Sequence, residues 1–164
     1  MVKHVIRSKA GAPPLGAYSQ GWRAGDFIFV TGTGPIGPDG KVQGTTIEEQ
    51  TEITINNIEA ILRAEGAGLQ DVIRTTVHLI DTSLFPRYNA VYARRFAEPY
   101  PARTTVGSDL RQVPGMMIEI ETVAYVGGQR STPRQTSKAR GPRRFRTRTA
   151  TSTRRAGRAA RRRR

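Results

Sequence analysis

Cysteine is absent from this chain, which excludes disulfides, thiolate catalysis and zinc held by thiolates. Histidine is scarce. His4 and His78 are the only two, and neither a multi-histidine metal site nor a Ser-His-Asp triad is easily built from them. No run of about 18 apolar residues occurs, so no membrane-spanning helix is expected. The N-terminus lacks the apolar stretch of a secretory signal, and the expected setting is the cytoplasm. Acidic residues are missing from 129–164, as are Ile, Leu, Val and Met, while 15 Lys/Arg crowd that segment. Such a segment cannot bury enough apolar surface to order itself and reads as a disordered, Arg-rich tail. It would bind nucleic acid nonspecifically at low salt. A tail with no selected partner, or one made by a shifted reading frame in GC-rich coding sequence, would have the same composition.

The formal net charge of +14 over 164 residues therefore describes the tail. Residues 1–128 hold 12 Lys/Arg and all 13 Asp/Glu, a net −1, and are long enough to form one core. The expected organisation is a domain over 1–128 and a tail over 129–164.

Within 1–128 the pattern alternates between strand and helix. Residues 2–8 form a short alternating strand, and 10–21 are a Gly/Pro-rich loop. Residues 21–32 read as a hairpin turning at Ala24-Gly25-Asp26. Over 45–68, Thr46 and Glu49 have the spacing of a capping box, and Ile47, Thr51, Ile55, Ile58, Ile61 and Leu62 recur at helical steps up to Gly66. Residues 71–81 are a β-branched strand. Residues 82–101 open on Thr/Ser caps, carry Phe85, Tyr88, Tyr92 and Phe96 at helical spacing, and meet a stop at Pro99. Strands follow at 102–107 and 116–126. This order predicts an α+β fold, with a mixed sheet covered on one face by two helices. Phe27, Phe29, Val77, Leu79 and Val123 then need partners on the other face, which predicts a homo-oligomer packed sheet to sheet.

Two carboxylates interrupt the last strand, "IEIETVAY" at 118–125. Period two places Ile118, Ile120, Thr122 and Ala124 on one face and Glu119, Glu121, Val123 and Tyr125 on the other. A wet strand face accounts for such a pattern, and so does a carboxylate lining a cleft. Three further places stand out. Tyr18 lies on a Gly-flanked loop, Thr31 lies where a strand gives way to glycines, and Arg103 opens a strand after Pro101-Ala102. A loop anchor, a turn and a solvated charge are the ordinary readings of these three. A partly buried arginine would instead want a carboxylate for its planar fork.

Taken together, "GAYSQG", "FVTGTGPIGPDGKV", "NNIEAILRAEGAGLQDVIRTTVHLID", "FPRYNAVYARRF", "YPARTTV" and "IEIETVAYV" resemble the reactive intermediate deaminase family, RidA/YjgF, over roughly residues 2–126. The resemblance implies a chorismate mutase-like fold and a homotrimer with a ligand cleft between adjacent subunits. It implies hydrolysis of enamines and imines such as those from 2-aminoacrylate to 2-oxo acids and ammonia, with no metal or organic cofactor. It assigns the substrate carboxylate to Arg103, the activated water to Glu119, the pocket cover to Tyr18, and ligand contacts to Thr31, Asn89 and Thr105. Thr33 and Thr105 depart from the family's usual Gln and Cys, which bears on substrate preference more than on reaction class. Two other readings stand beside the deaminase: a pocket that senses a small carboxylate without turnover, and an RNA-binding or RNA-cleaving protein. The near-neutral 1–128 segment has no aromatic platform for RNA bases, which ranks the last reading third.

Overall fold

The alternation that begins at Ile118 produces a strand with two unlike faces, and the rest of the sheet is arranged around it. The structure, a computed structural model, describes residues 3–128. The basic segment 129–164, expected to be a tail, lies outside the described residues. Six strands, β1 (Lys3–Ile6), β2 (Gly21–Ala24), β3 (Phe27–Thr33), β4 (Val72–Leu79), β5 (Ala102–Gly107) and β6 (Ile118–Tyr125), form one sheet in the order β1-β2-β3-β6-β4-β5. All neighbours are antiparallel except β4 and β5. A parallel pair needs a crossover, and the second helix supplies it. Gly25, at φ 62°, makes the tight β2–β3 turn.

Helix α1 (Ile47–Arg63) starts as its sequence dictates. The Thr46 hydroxyl accepts from the Glu49 amide at 3.2 Å, and the Glu49 carboxylate accepts from the Thr46 amide at 3.2 Å. Gly66, at φ 71°, turns the chain out after the helix. The second helix, α2 (Phe85–Arg95), differs from expectation at both ends. Thr82 and Ser83 do not cap it. They form a 3₁₀ turn capped by Asp81, which accepts from the Ser83 amide at 2.8 Å. Pro86 in the first turn, having no N–H to donate, then leaves no unpaired amide there. At the far end the helix stops at Arg95, before Pro99. Phe96 is extended there and stacks on Tyr92 with ring centroids 4.2 Å apart, so burial of the ring ends the helix before proline can.

Both helices lie on one face. Ile55, Ile58, Leu62, Tyr88 and Tyr92 meet Ile28, Val30, Val77, Leu79, Ile118 and Ile120 in a single core. Val77 and Leu79 are thus fully buried beneath the helices and do not belong to the apolar surplus of the opposite face. Strand β4 points Thr75, Val77 and Leu79 inward, and Thr76 and His78 outward. The surplus instead consists of Trp22, Phe27, Phe29 and Tyr125, which are 41–47% exposed. Cross-strand pairing of Trp22 with Phe29 and of Phe27 with Tyr125 gathers them into one apolar patch. Among the described residues no helix is long and apolar enough to cross a membrane.

Candidate active site

The open face carries a carboxylate cavity of about 660 Å³, lined in part by Tyr18, Thr31, Gly32, Met116, Glu119 and Glu121. Glu119 comes from β6. Thr31 and Gly32 come from β3 at an irregularity in its pairing with β6: Val30 is opposite Thr122, but Thr33 is opposite Ile120. The extra residue breaks the ladder at Thr31-Gly32 and directs this segment at the cavity, as bulges commonly do beside functional sites. Gly32 is required for space. A Cβ there would run into the Glu119 carboxylate. The obstacle is the end of a flexible side chain, so Gly32→Ala should leave thermal stability nearly unchanged while displacing the carboxylate. A fall in turnover without a fall in melting temperature is the expected result.

Three buried amide side chains hold the cavity walls, and sequence reasoning assigned them nothing. Gln20 accepts from the Ser8 amide at 2.7 Å and donates to the Ala12 carbonyl at 2.8 Å, fixing the loop that bears Tyr18. Asn57 donates to the carbonyls of Gly34 and Ile36 at 3.1 and 2.9 Å. Gln50 donates to the Gly115 carbonyl and accepts from the Met117 amide, both at 2.8 Å, on the approach to β6. Backbone buried outside regular structure needs such partners. For Gln50 and Asn57 the sequence signal is a polar residue on an otherwise apolar helix face; Gln20, in a loop, has none of this kind. Tyr18 has a dual position: it lines the cavity, and its hydroxyl accepts from the Leu15 amide at 2.8 Å, anchoring its own loop.

Burial raises the Glu119 carboxyl above the ordinary glutamate range. His78 on β4 opposes that shift and Glu121 adds to it. Glu121, two residues along the same face, is exposed.

Arg103, Thr105 and Asn89 are elsewhere. In the parallel β4–β5 pair, Arg103 is opposite the buried Thr75, whereas Glu119 is opposite the outward His78. Arg103 and Glu119 therefore lie on opposite faces of the sheet and do not meet within one chain. The Arg103 guanidinium sits beneath α2, with its carbon 4.5 Å from the Tyr92 ring centroid, 5.5 Å from Tyr88 and 5.6 Å from Phe85. Tyr92 is held by a 2.9 Å hydrogen bond to Thr75, and the Tyr88 hydroxyl bonds Thr105. Asn89 follows Tyr88 on α2 and is half-buried. Among the described residues Arg103, on β5, has no ion pair, whereas the arginines of the overlying α2 are paired with Glu48, Glu52 and Glu59 of α1. The aromatic cage orients a planar cation and leaves its fork free for an external carboxylate.

A mixed sheet backed by two helices, with a carboxylate on one face and a caged arginine at the other, defines an α+β fold. Residues 9–126 match the family model described as Endoribonuclease L-PSP. A RutC family protein of Pyrococcus abyssi is 42% identical over 127 residues, 76% of this chain and 98% of that protein. Reactive Intermediate Deaminase A, chloroplastic, of Arabidopsis thaliana is 36% identical over 124 residues, 74% of this chain and 65% of that protein. The crystal structure of E. coli TdcF with bound serine superposes with a TM-score of 0.67 at 27% identity, covering 74% of this chain and 98% of that one. The chain belongs to the RidA/YjgF family.

Proposed function

We propose that this protein hydrolyses reactive 2-imino acids, and the enamines that tautomerise to them, to 2-oxo acids and ammonia. The reading rests on one observation: a caged arginine and a half-buried carboxylate, neither of which makes an ion pair among the described residues, occupy opposite faces of the same sheet. Each is half of a site, and a second copy of the chain completes both. The apolar patch of Trp22, Phe27, Phe29 and Tyr125 on the open face is the surface on which such copies would pack. The family's deaminase relative and the serine held by TdcF support a small amino-acid-like ligand.

In this scheme Arg103 of one subunit grips the substrate carboxylate bidentately, with Asn89 and Thr105 beside it. Glu119 of the neighbour, near Thr31 and under Tyr18, holds a water against the imine carbon. The protonated imine is already electrophilic. Water adds to C2 as its proton passes to Glu119, giving a carbinolamine. Glu119 returns that proton to the amino nitrogen and then takes the remaining hydroxyl proton as the C–N bond breaks and the carbonyl forms; the departing ammonia collects that proton from Glu119 and leaves as ammonium. Water and iminium thus become a 2-oxo acid and ammonium, and the chemistry draws on no metal or organic cofactor. Placement of the water supplies much of the acceleration.

The test is to generate imino acids in situ with an amino-acid oxidase and follow ammonia or 2-oxo acid release. The protein should accelerate release; a rate identical with and without it leaves a pocket that binds carboxylates without turnover. Assembly is checked separately. Residues 1–128 alone should form a trimer by light scattering, and a monomer mass would remove the shared site. An RNA-directed role, which the family model's description names, has less support in a segment of net charge −1. RNA affinity lost on removal of residues 129–164 would belong to that basic segment.

A further inference from the structure

His78 takes no part in the scheme above, yet it stands directly across the β4–β6 ladder from Glu119 and on the same open face. Opposed residues of an antiparallel pair have Cβ atoms about 4.5–5.5 Å apart. Its ring is braced: Nδ1 lies 2.8 Å from the Ser108 hydroxyl, just beyond the end of β5. Its Nε2 is buried and has no hydrogen-bond partner among the described residues. An imidazole held through one nitrogen presents the other in a defined direction, and a buried nitrogen is rarely left without a partner.

The groups around the ring narrow what Nε2 can serve. On β6 the titratable neighbours are Glu119, directly opposite, and Glu121, diagonally placed. On β5 the residue opposite is the apolar Val106. Along β4, Thr76 is followed by Arg74 four residues from His78. In the loop after Ser108, Asp109 and Arg111 are already paired with each other at 2.6 Å. Glu119 is the nearest carboxylate by register.

We propose that His78, braced by Ser108, is a positioning residue for Glu119, its imidazole serving as the counter-charge that holds the carboxylate aimed into the cavity through one water. The proposal rests on the deaminase reading for its consequence in catalysis, but the contact itself can be measured without substrate. A carboxylate half-buried beside Glu121 needs a compensating cation to work as a base, and within one chain Arg103 is on the wrong face to provide it.

The experiment is a carboxyl-carbon NMR titration of the full chain labelled at glutamate, with the Glu119 signal assigned by its loss in Glu119→Gln. In His78→Gln the Glu119 titration should move to higher pH, by roughly one unit as for loss of a nearby opposite charge. Ser108→Ala, which keeps the imidazole but frees it, should shift the titration in the same direction by less, and it covers the case in which His78→Gln fails to fold. The acid limb of the deamination rate should move upward in parallel, with kcat at pH 6 falling more than KM rises. A Glu119 titration unmoved in the folded variants overturns the proposal. A wild-type protein that releases no ammonia from imines overturns the deaminase reading instead, and the NMR titration still decides whether the two side chains are coupled.

Discussion

Arg103→Ala should abolish deamination while leaving the protein folded. The arginine is half-buried, holds no ion pair among the described residues and touches the core only through ring faces, so its removal leaves no buried charge unpaired. Losing a bidentate, charge-assisted grip on the substrate carboxylate should cost about 2–5 kcal/mol, roughly a 30-fold loss in kcat/KM at the low end and nearly four decades at the high end. Arg103→Lys should restore little, because an ammonium is a point charge and offers no planar fork to the carboxylate. Near-normal turnover in a folded Arg103→Ala protein would remove the anchor. The opposite-face geometry adds a sharper expectation. Arg103→Ala and Glu119→Gln subunits, each inactive alone, should regain activity when unfolded and refolded together. Random mixing would reunite an intact arginine and an intact glutamate in about a quarter of the shared sites. A mixture as inactive as its components would show that no site is built across subunits.

The second large effect separates the two carboxylates of β6. Glu119→Gln keeps the shape of the side chain and removes the base. Turnover should drop by roughly 10²-fold or more, while calorimetry with a 2-oxo acid analogue gives affinity close to wild type or tighter. Glu121→Gln should do much less, since that side chain is exposed and at the cavity's edge. Activity in Glu119→Gln with loss in Glu121→Gln would place the base two residues further along the strand. Activity in both would favour a pocket that binds without turnover. A stability signature should accompany the change. Burial first, and Glu121 second, raise the Glu119 carboxyl, with His78 opposing. A carboxyl raised in the folded state destabilises the fold above its folded pKa, and that cost disappears as pH falls below the unfolded value. Glu119→Gln should therefore melt higher than wild type at pH 7, and the difference should close below the ordinary glutamate range.

Local chemistry made much of this molecule legible in one dimension. The Thr46–Glu49 capping box, the turn at Gly25 and the period-two alternation of 118–125 each depend on residues a few positions apart, and each stands as its sequence dictates. The family motifs were legible for the same reason, as short runs such as Pro-Ala-Arg-Thr-Thr-Val and Ile-Glu-Ile-Glu. Where two local signals competed, reading in one dimension went astray. Thr82 and Ser83 looked like caps and became a 3₁₀ turn, and Pro99 looked like the stop while burial of Phe96 ended α2 first.

Tertiary structure alone decided which residues share a face of the sheet and which do not. Periodicity gives each strand two faces but cannot say which of them the helices cover. Val77 and Leu79 were therefore indistinguishable in sequence from the outward Phe27 and Phe29. The break in pairing at Thr31-Gly32, the amides of Gln20, Gln50 and Asn57 that close the cavity walls, and the register that sets His78 against Glu119 all join residues far apart in the chain. The separation of Arg103 from Glu119 is of the same kind. Both carry the family pattern and both alternate correctly along their own strands. Only the pairing of Arg103 with inward Thr75, and of Glu119 with outward His78, puts the sheet between them, because alternation along one strand defines two faces while the pairing with neighbouring strands decides which of them the helices cover.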